Sequence, residues 1–260
     1  MNVLSILSFI FGASIGSFVQ VIASRLHVAP IVKGRSKCLS CGEALRVSDL
    51  IPVVSYLLLK GKCRYCKSVY GPSALVIEMV FGLVFVALYH FFLKDQASLL
   101  TSFWWLMYYT LLFGVLGVMA LYDKAHSYIP LSFLSAYLVL TSYMFVMRII
   151  DDPHILTILS PFFVALPFFL VWLVTKGKGL GFGDVILFFG VGAFFGSLQG
   201  LAVLMVSVWL GAIVGLYIKY IVKHTRTNTT AMPFVPFIVI GFLIVLFTDI
   251  DIFSIAMFFA

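Results

Sequence analysis

Eight apolar runs, each close to the length of a membrane-spanning helix and almost free of charged residues, dominate the chain: 3–23, 73–93, 99–121, 128–147, 155–175, 185–199, 200–218 and 234–259. A spanning helix needs about 20 predominantly apolar residues at about 1.5 Å rise each, so runs of this kind leave few architectures open. They are continuously apolar and do not alternate polar with apolar positions, which excludes the strand pattern of a membrane barrel. With 63% hydrophobic and 10% charged residues, an ordinary soluble core is excluded as well. The expected fold is an all-α polytopic membrane protein with about eight transmembrane helices. The boundary between the sixth and seventh runs is placed at Gly196-Ser197-Leu198-Gln199-Gly200, a turn inside one long apolar stretch.

The net charge of +7 is concentrated in one segment. Residues 24–72 hold nine basic side chains against two acids, Glu43 and Asp49, while the rest of the chain balances at eight against eight. Lys and Arg collect in cytoplasmic loops. This loop is therefore expected in the cytosol with the N-terminus outside, and alternation through eight spans brings 123–127, 176–184 and 219–233 to the cytosolic side too. That orientation puts 15 of the 17 basic residues inside and leaves only Lys94 and Arg148 outside. No Lys or Arg precedes the first apolar run, so residues 1–23 are expected to be a retained span rather than a secretory signal. Since topology accounts for the basic charge, membrane lipid is the expected partner and nucleic acid is not.

All four cysteines lie in the basic loop as Cys38-Leu39-Ser40-Cys41 and Cys63-Arg64-Tyr65-Cys66. Two such pairs form knuckles able to supply four thiolates to a tetrahedral zinc. Gly42 and Gly61 suit the tight turns required. Four cysteines complete the tetrahedron and leave no position for a catalytic water, so the zinc is expected to be structural. Stable disulfides are disfavoured in a reducing cytosol. A loop of this size buries too little apolar surface to fold unaided, and metal would supply much of its folding free energy. The stretch from Asp49 to Leu59 is apolar but too short to span. The expected domains are a first transmembrane helix (1–23), a zinc-binding domain (24–72) and a membrane domain of about seven helices (73–260).

Ionisable residues in the membrane are costly, and each is a functional candidate by default. Asp123, in Leu121-Tyr122-Asp123-Lys124, falls at the end of the third run. Asp184, in Gly179-Leu180-Gly181-Phe182-Gly183-Asp184, falls at the start of the sixth. Topology derived from basic residues alone brings both to one membrane face. Two carboxylates so placed can share a proton, one acting as base on a water while the other donates to a carbonyl oxygen. Gly181 and Gly183 allow an extended peptide to approach the backbone closely. Glu78, near the start of the second run, is a weaker candidate that either shapes a site or caps and pairs. Asp95, Asp151, Asp152, Asp249 and Asp251 read as external, and His126 as a solvated helix end. The alternative class is a proton- or cation-coupled transporter using Asp123 and Asp184 as a relay; a scaffold displaying a zinc ribbon would leave both aspartates idle.

These residues resemble the type IV prepilin peptidases, intramembrane aspartyl enzymes of the GxGD group. Gly16-Ser17-Phe18, the segment Gly34 to Cys41, Asp49-Leu50-Ile51-Pro52 and the segment Gly61 to Cys66 follow the family's amino-terminal domain in order. Asp123 followed by Ile129-Pro130 resembles its first catalytic motif, Gly181-Phe182-Gly183-Asp184 its second, and Pro233-Phe234-Val235-Pro236-Phe237 its carboxy-terminal Pro-Phe segment. The resemblance implies a bacterial inner-membrane enzyme that cleaves the short basic leader of prepilins or pseudopilins at the cytosolic face with Asp123 and Asp184. It also implies N-methylation of the new amino terminus from S-adenosylmethionine, with no residue assigned to that cofactor. Ile186, Leu39 and Tyr70-Gly71-Pro72 depart from the family pattern and bear on substrate preference and methyl transfer.

Overall fold

The computed structural model describes residues 2–28, 30, 34–93, 98–222 and 232–259, so Lys33, Lys94, Asp95, Lys223, His224 and Arg226 lie outside the described residues. Ten α-helices follow one another among the described residues: α1 Val3–Arg25, α2 Val54–Leu59, α3 Ser73–Leu88, α4 Leu99–His126, α5 Leu131–Asp151, α6 Ile155–Thr175, α7 Phe182–Phe195, α8 Ser197–Tyr217, α9 Val235–Thr248 and α10 Ile252–Phe259. Among the described residues there is no sheet, only two isolated bridges in the cysteine loop. Each expected apolar run has a helical counterpart. Six helical stretches among the described residues are long and apolar enough to cross a membrane, whereas α7 and α9 are shorter.

Three expected boundaries are corrected, each by a capping event that hydrophobicity does not report. The third run was expected to end at 121, but α4 continues to His126 and stops where Ser127 turns left-handed (φ +52°) and donates its N–H to the Asp123 carbonyl at 2.7 Å. Asp123 is thus inside the last turn of a helix. The sixth run was expected from 185, but α7 begins at Phe182, which puts Asp184 in its first turn, where an acid suits the helix dipole. The eighth run is two helices, broken at Asp249, which adopts φ +55°. The division between α7 and α8 falls at Gly196, whose φ of +81° favours glycine.

The chain forms two compact units, Met1–Gly114 and Val115–Ala260, with α4 running across the boundary. In the first, α1 packs on α3 through small residues. A Cβ at Gly12 would lie 2.5 Å from the Phe81 carbonyl oxygen, and one at Gly82 would meet the Phe9 ring at 2.5 Å. In the second, the short α7 is enclosed by α5, α6 and α8. Gly190 faces the fully buried Tyr137, whose hydroxyl donates to the Leu187 carbonyl at 3.2 Å. Gly192 faces α6, and the Ser160 hydroxyl donates to its carbonyl at 3.1 Å. Small residues at such faces let helix backbones approach where lipid supplies no hydrophobic drive.

Candidate active site and metal centre

In the second unit, the end of α4 and the start of α7 bring Asp123 and Asp184 to one cavity of about 580 Å³. Both carboxylates are buried, with 6% and 8% of their surface exposed. After α6, Lys176 (φ +50°) and Gly177 (φ +73°) reverse the chain, with Gly177 N–H donating to the Trp172 carbonyl at 3.0 Å. This is a Schellman-type stop. The loop from Gly177 to Gly181 then lines the cavity. Gly181 is the N-cap of α7, and Asp184 N–H donates to the Gly181 carbonyl at 3.1 Å. The Asp184 carboxylate folds back over this loop, its Oδ2 lying 3.4 Å from where a Gly181 Cβ would be. Gly183 meets Ile129, so a methyl there would crowd the side chain just before Pro130. The other Asp123 neighbour is Val235, whose N–H donates to Asp123 Oδ2 at 3.0 Å.

Ser127, Tyr128, Lys178 and Phe234 also border this cavity; no sequence motif singled out the first three. His126 is exposed and stacks on Tyr122, with ring centroids 4.2 Å apart. Asp152, Asp249 and Asp251 line a different cavity of about 620 Å³ around Arg148 and Gly196. In the first unit, Glu78 is buried and accepts the Val53 N–H at 2.7 Å. Val53 has φ +64°, unusual for a β-branched residue, and forms a tight turn in which Val54 N–H reaches the Pro52 carbonyl at 2.6 Å. Glu78 therefore caps and pairs with a strained loop of its own unit.

The four cysteines converge. The Sγ atoms of Cys38, Cys41, Cys63 and Cys66 all lie within 4.8 Å of one another, and none is in a disulfide. A tetrahedron with Zn–S bonds of about 2.3 Å has edges of about 3.8 Å, and the Cys38–Cys66 Sγ separation is 3.8 Å. The donor set fits a metal ion. Each knuckle repeats the same hydrogen bonds: Cys38 N–H to the Glu43 carbonyl and Gly42 N–H to the Cys38 carbonyl, matched by Cys63 N–H to Ser68 and Lys67 N–H to Cys63. The left-handed position inside each knuckle is Gly42 in one and Lys67 in the other, and Gly61, just before the second pair, also turns left-handed (φ +66°), as expected of it. The Cys41 and Ser40 backbone N–H groups hold the Cys38 thiol down at about 6, favouring its thiolate, whereas burial and the neighbouring sulfurs push the Cys41 thiol up to about 11. Arg64 fastens the loop by donating from Nε (2.8 Å) and Nη2 (2.6 Å) to Asp49 Oδ1.

Residues 10–92 match the bacterial peptidase A24 N-terminal domain, and residues 110–216 match the type IV leader peptidase family. The chain belongs to the type IV leader peptidase family. The prepilin leader peptidase/N-methyltransferase of Pseudomonas aeruginosa is 29% identical over 227 residues, covering 84% of this chain and 73% of the relative. That of Pseudomonas putida is 26% identical over 94% of this chain and 90% of its own length. The type 4 prepilin-like proteins leader peptide-processing enzyme of Escherichia coli O78:H11 is 26% identical, with 91% of each chain covered. No solved structure matches significantly. This leader peptidase is a multi-pass protein of the bacterial inner membrane, and these findings do not favour the transporter alternative.

Proposed function

We propose that this leader peptidase removes the basic leader of type IV prepilins or pseudopilins with Asp123 and Asp184 as its acid–base pair. The observation that carries the assignment is the convergence of two buried carboxylates, from the end of α4 and the start of α7, on one cavity bordered by a glycine-rich loop. One carboxylate removes a proton from water as the water oxygen adds to the scissile carbonyl carbon, and the other gives its proton to the carbonyl oxygen. The tetrahedral intermediate then collapses, the C–N bond breaks, and the departing amine takes a proton from the pair. A helical peptide bond is shielded, and the Gly177–Gly181 loop offers backbone against which an unwound substrate segment can lie.

In chain order, a first span (1–23) is followed by a structural zinc module (24–72) held by Cys38, Cys41, Cys63 and Cys66, and then by the membrane peptidase domain (73–260). The charge distribution supports an orientation with the N-terminus outside and the zinc module and dyad at the cytosolic face. The names of the relatives add N-methylation of the new amino terminus from S-adenosylmethionine as a second activity. The test of the dyad is replacement of each aspartate by asparagine, which keeps the volume but can neither act as base nor hold the shared proton. Asp123→Asn and Asp184→Asn should each lower prepilin cleavage by about 10²–10⁴-fold or more with membrane insertion intact. Near wild-type cleavage by either variant would remove that residue from the mechanism.

A further inference from the structure

Asp123 is tied to a helix that begins 112 residues later in the chain. Val235 is the first residue of α9, and the first N–H groups of a helix have no partner within it. Pro236, next in line, has none to offer. Asp123 thus caps α9 from α4, and the contact is buried, with Val235 fully enclosed. A helix N-terminus favours a negative charge, and a hydrogen bond from a buried N–H favours the ionised carboxylate over the neutral acid. Asp184 also meets a helix N-terminus, in the first turn of α7, but that helix is its own. Its carboxylate folds back over Gly181 three residues earlier, with no tie among the described residues to a second helix such as Asp123 has. The two acids of the cavity are therefore not equivalent.

Resting on the dyad reading above, we infer that the Val235 N–H is the positioning group that keeps Asp123 ionised, making Asp123 the base that takes the proton of water and leaving the shared proton on Asp184. Oδ2 of Asp123 is engaged by α9, so the other oxygen is the one that serves the water. Asp184 then protonates the carbonyl oxygen. Among the described residues, the other charged or titratable groups around the cavity are Lys178 of the loop and Tyr128 after α4. Lys124 and His126 follow Asp123 on its own helix, while α8 presents Gly211 and the segment leading into α9 presents Met232 and Phe234, none of them charged. The Phe234 backbone lies beside Asp123 as well, and Val235 N–H is the first donor of the helix itself.

Replacing Val235 in the full-length protein by its α-hydroxy acid turns the amide into an ester, which deletes the N–H and keeps the side chain. The acid limb of kcat/KM for prepilin cleavage should move to higher pH by about one unit, roughly a tenfold loss below the limb. Val235→Ala retains the donor and should keep the wild-type limb. Val235→Pro deletes the same N–H at a helix position that accepts proline and should shift the limb in the same sense if the ester-bearing chain fails to insert. An unmoved acid limb in an inserted chain lacking the N–H, or a shift of the alkaline limb instead, overturns the assignment. Asp123→Asn with wild-type cleavage would bring down the dyad reading itself, an outcome separable from the others because Val235 is untouched.

Discussion

Asp123 and Asp184 stand out in the sequence because an acid beside a long apolar run has few ordinary reasons to be there. The Val235 donor does not stand out, because a backbone N–H carries no side-chain signature and its acceptor is 112 residues away. Glu78 shows the same limit: its charge is visible, its task is not, since the partner is the backbone of Val53. Removing that acceptor strands a buried N–H beside a strained turn, a loss of about 1–3 kcal/mol. Glu78→Ala should therefore raise proteolytic cutting near Pro52–Val54, while Glu78→Gln, which still offers a carbonyl oxygen, should not; equal cutting of both variants would count against the tie. Gly190 is a sterner case. A Cβ there would overlap the ring of the fully buried Tyr137, and overpacking of this kind costs about 1–3 kcal/mol. Gly190→Ala should lower the unfolding temperature in detergent, and an unchanged temperature would mean that α5 and α7 can part without cost.

Among the elements, the eight apolar runs were legible because lipid imposes length and composition directly. Their ends were not, because ends are fixed by local backbone geometry: the left-handed Ser127 after α4, Gly181 before α7, and Asp249 after α9. The cysteine loop was legible as a donor set from its spacing, but the brace between Arg64 and Asp49 was hidden, since ion-pair partners 15 residues apart have no pattern. Replacing Cys38 with Cys41, or Cys63 with Cys66, by serine should abolish binding of one zinc per chain, measured by elemental analysis. Zinc retained at full stoichiometry would refute the four-thiolate site. Asp49→Asn should speed zinc extraction by a chelator at neutral pH, because a charge-assisted pair becomes a weaker neutral one. The Arg64 guanidinium beside Asp49 holds its carboxyl below the ordinary carboxylate value, with the Arg46 N–H acting in the same direction. A carboxyl depressed in the folded state contributes fully above its unfolded value near 3.9, and that contribution fades as the pH falls through the folded value. The difference in extraction rate between the native protein and Asp49→Asn should therefore begin to shrink only below about pH 4 and vanish as the pH falls through the lower, folded value.

The orientation proposed from the unequal distribution of basic residues makes a labelling prediction that needs no catalytic assay. In a version lacking the native cysteines, a cysteine at Lys176 should react with an impermeant reagent only from the cytosol, and one at Asp152 only from outside; the same expectations hold for His224 and Asp95. External labelling at Lys176 would reverse the topology. Phe182→Cys borders the cavity and should be shielded by bound prepilin; labelling indifferent to substrate would separate orientation from proteolysis. The short central helix has a consequence of its own. α7 has 14 residues, about 21 Å at 1.5 Å each, against about 30 Å of hydrocarbon. A cavity lies at each of its ends, one holding the two aspartates and the other Arg148. If water fills both, the insulating partition along α7 is about two-thirds as thick as the surrounding lipid, and the membrane voltage falls across it about 1.4 times more steeply. Asp184 stands at the edge of that partition, where a proton moving onto or off the carboxylate crosses part of the transmembrane electric field.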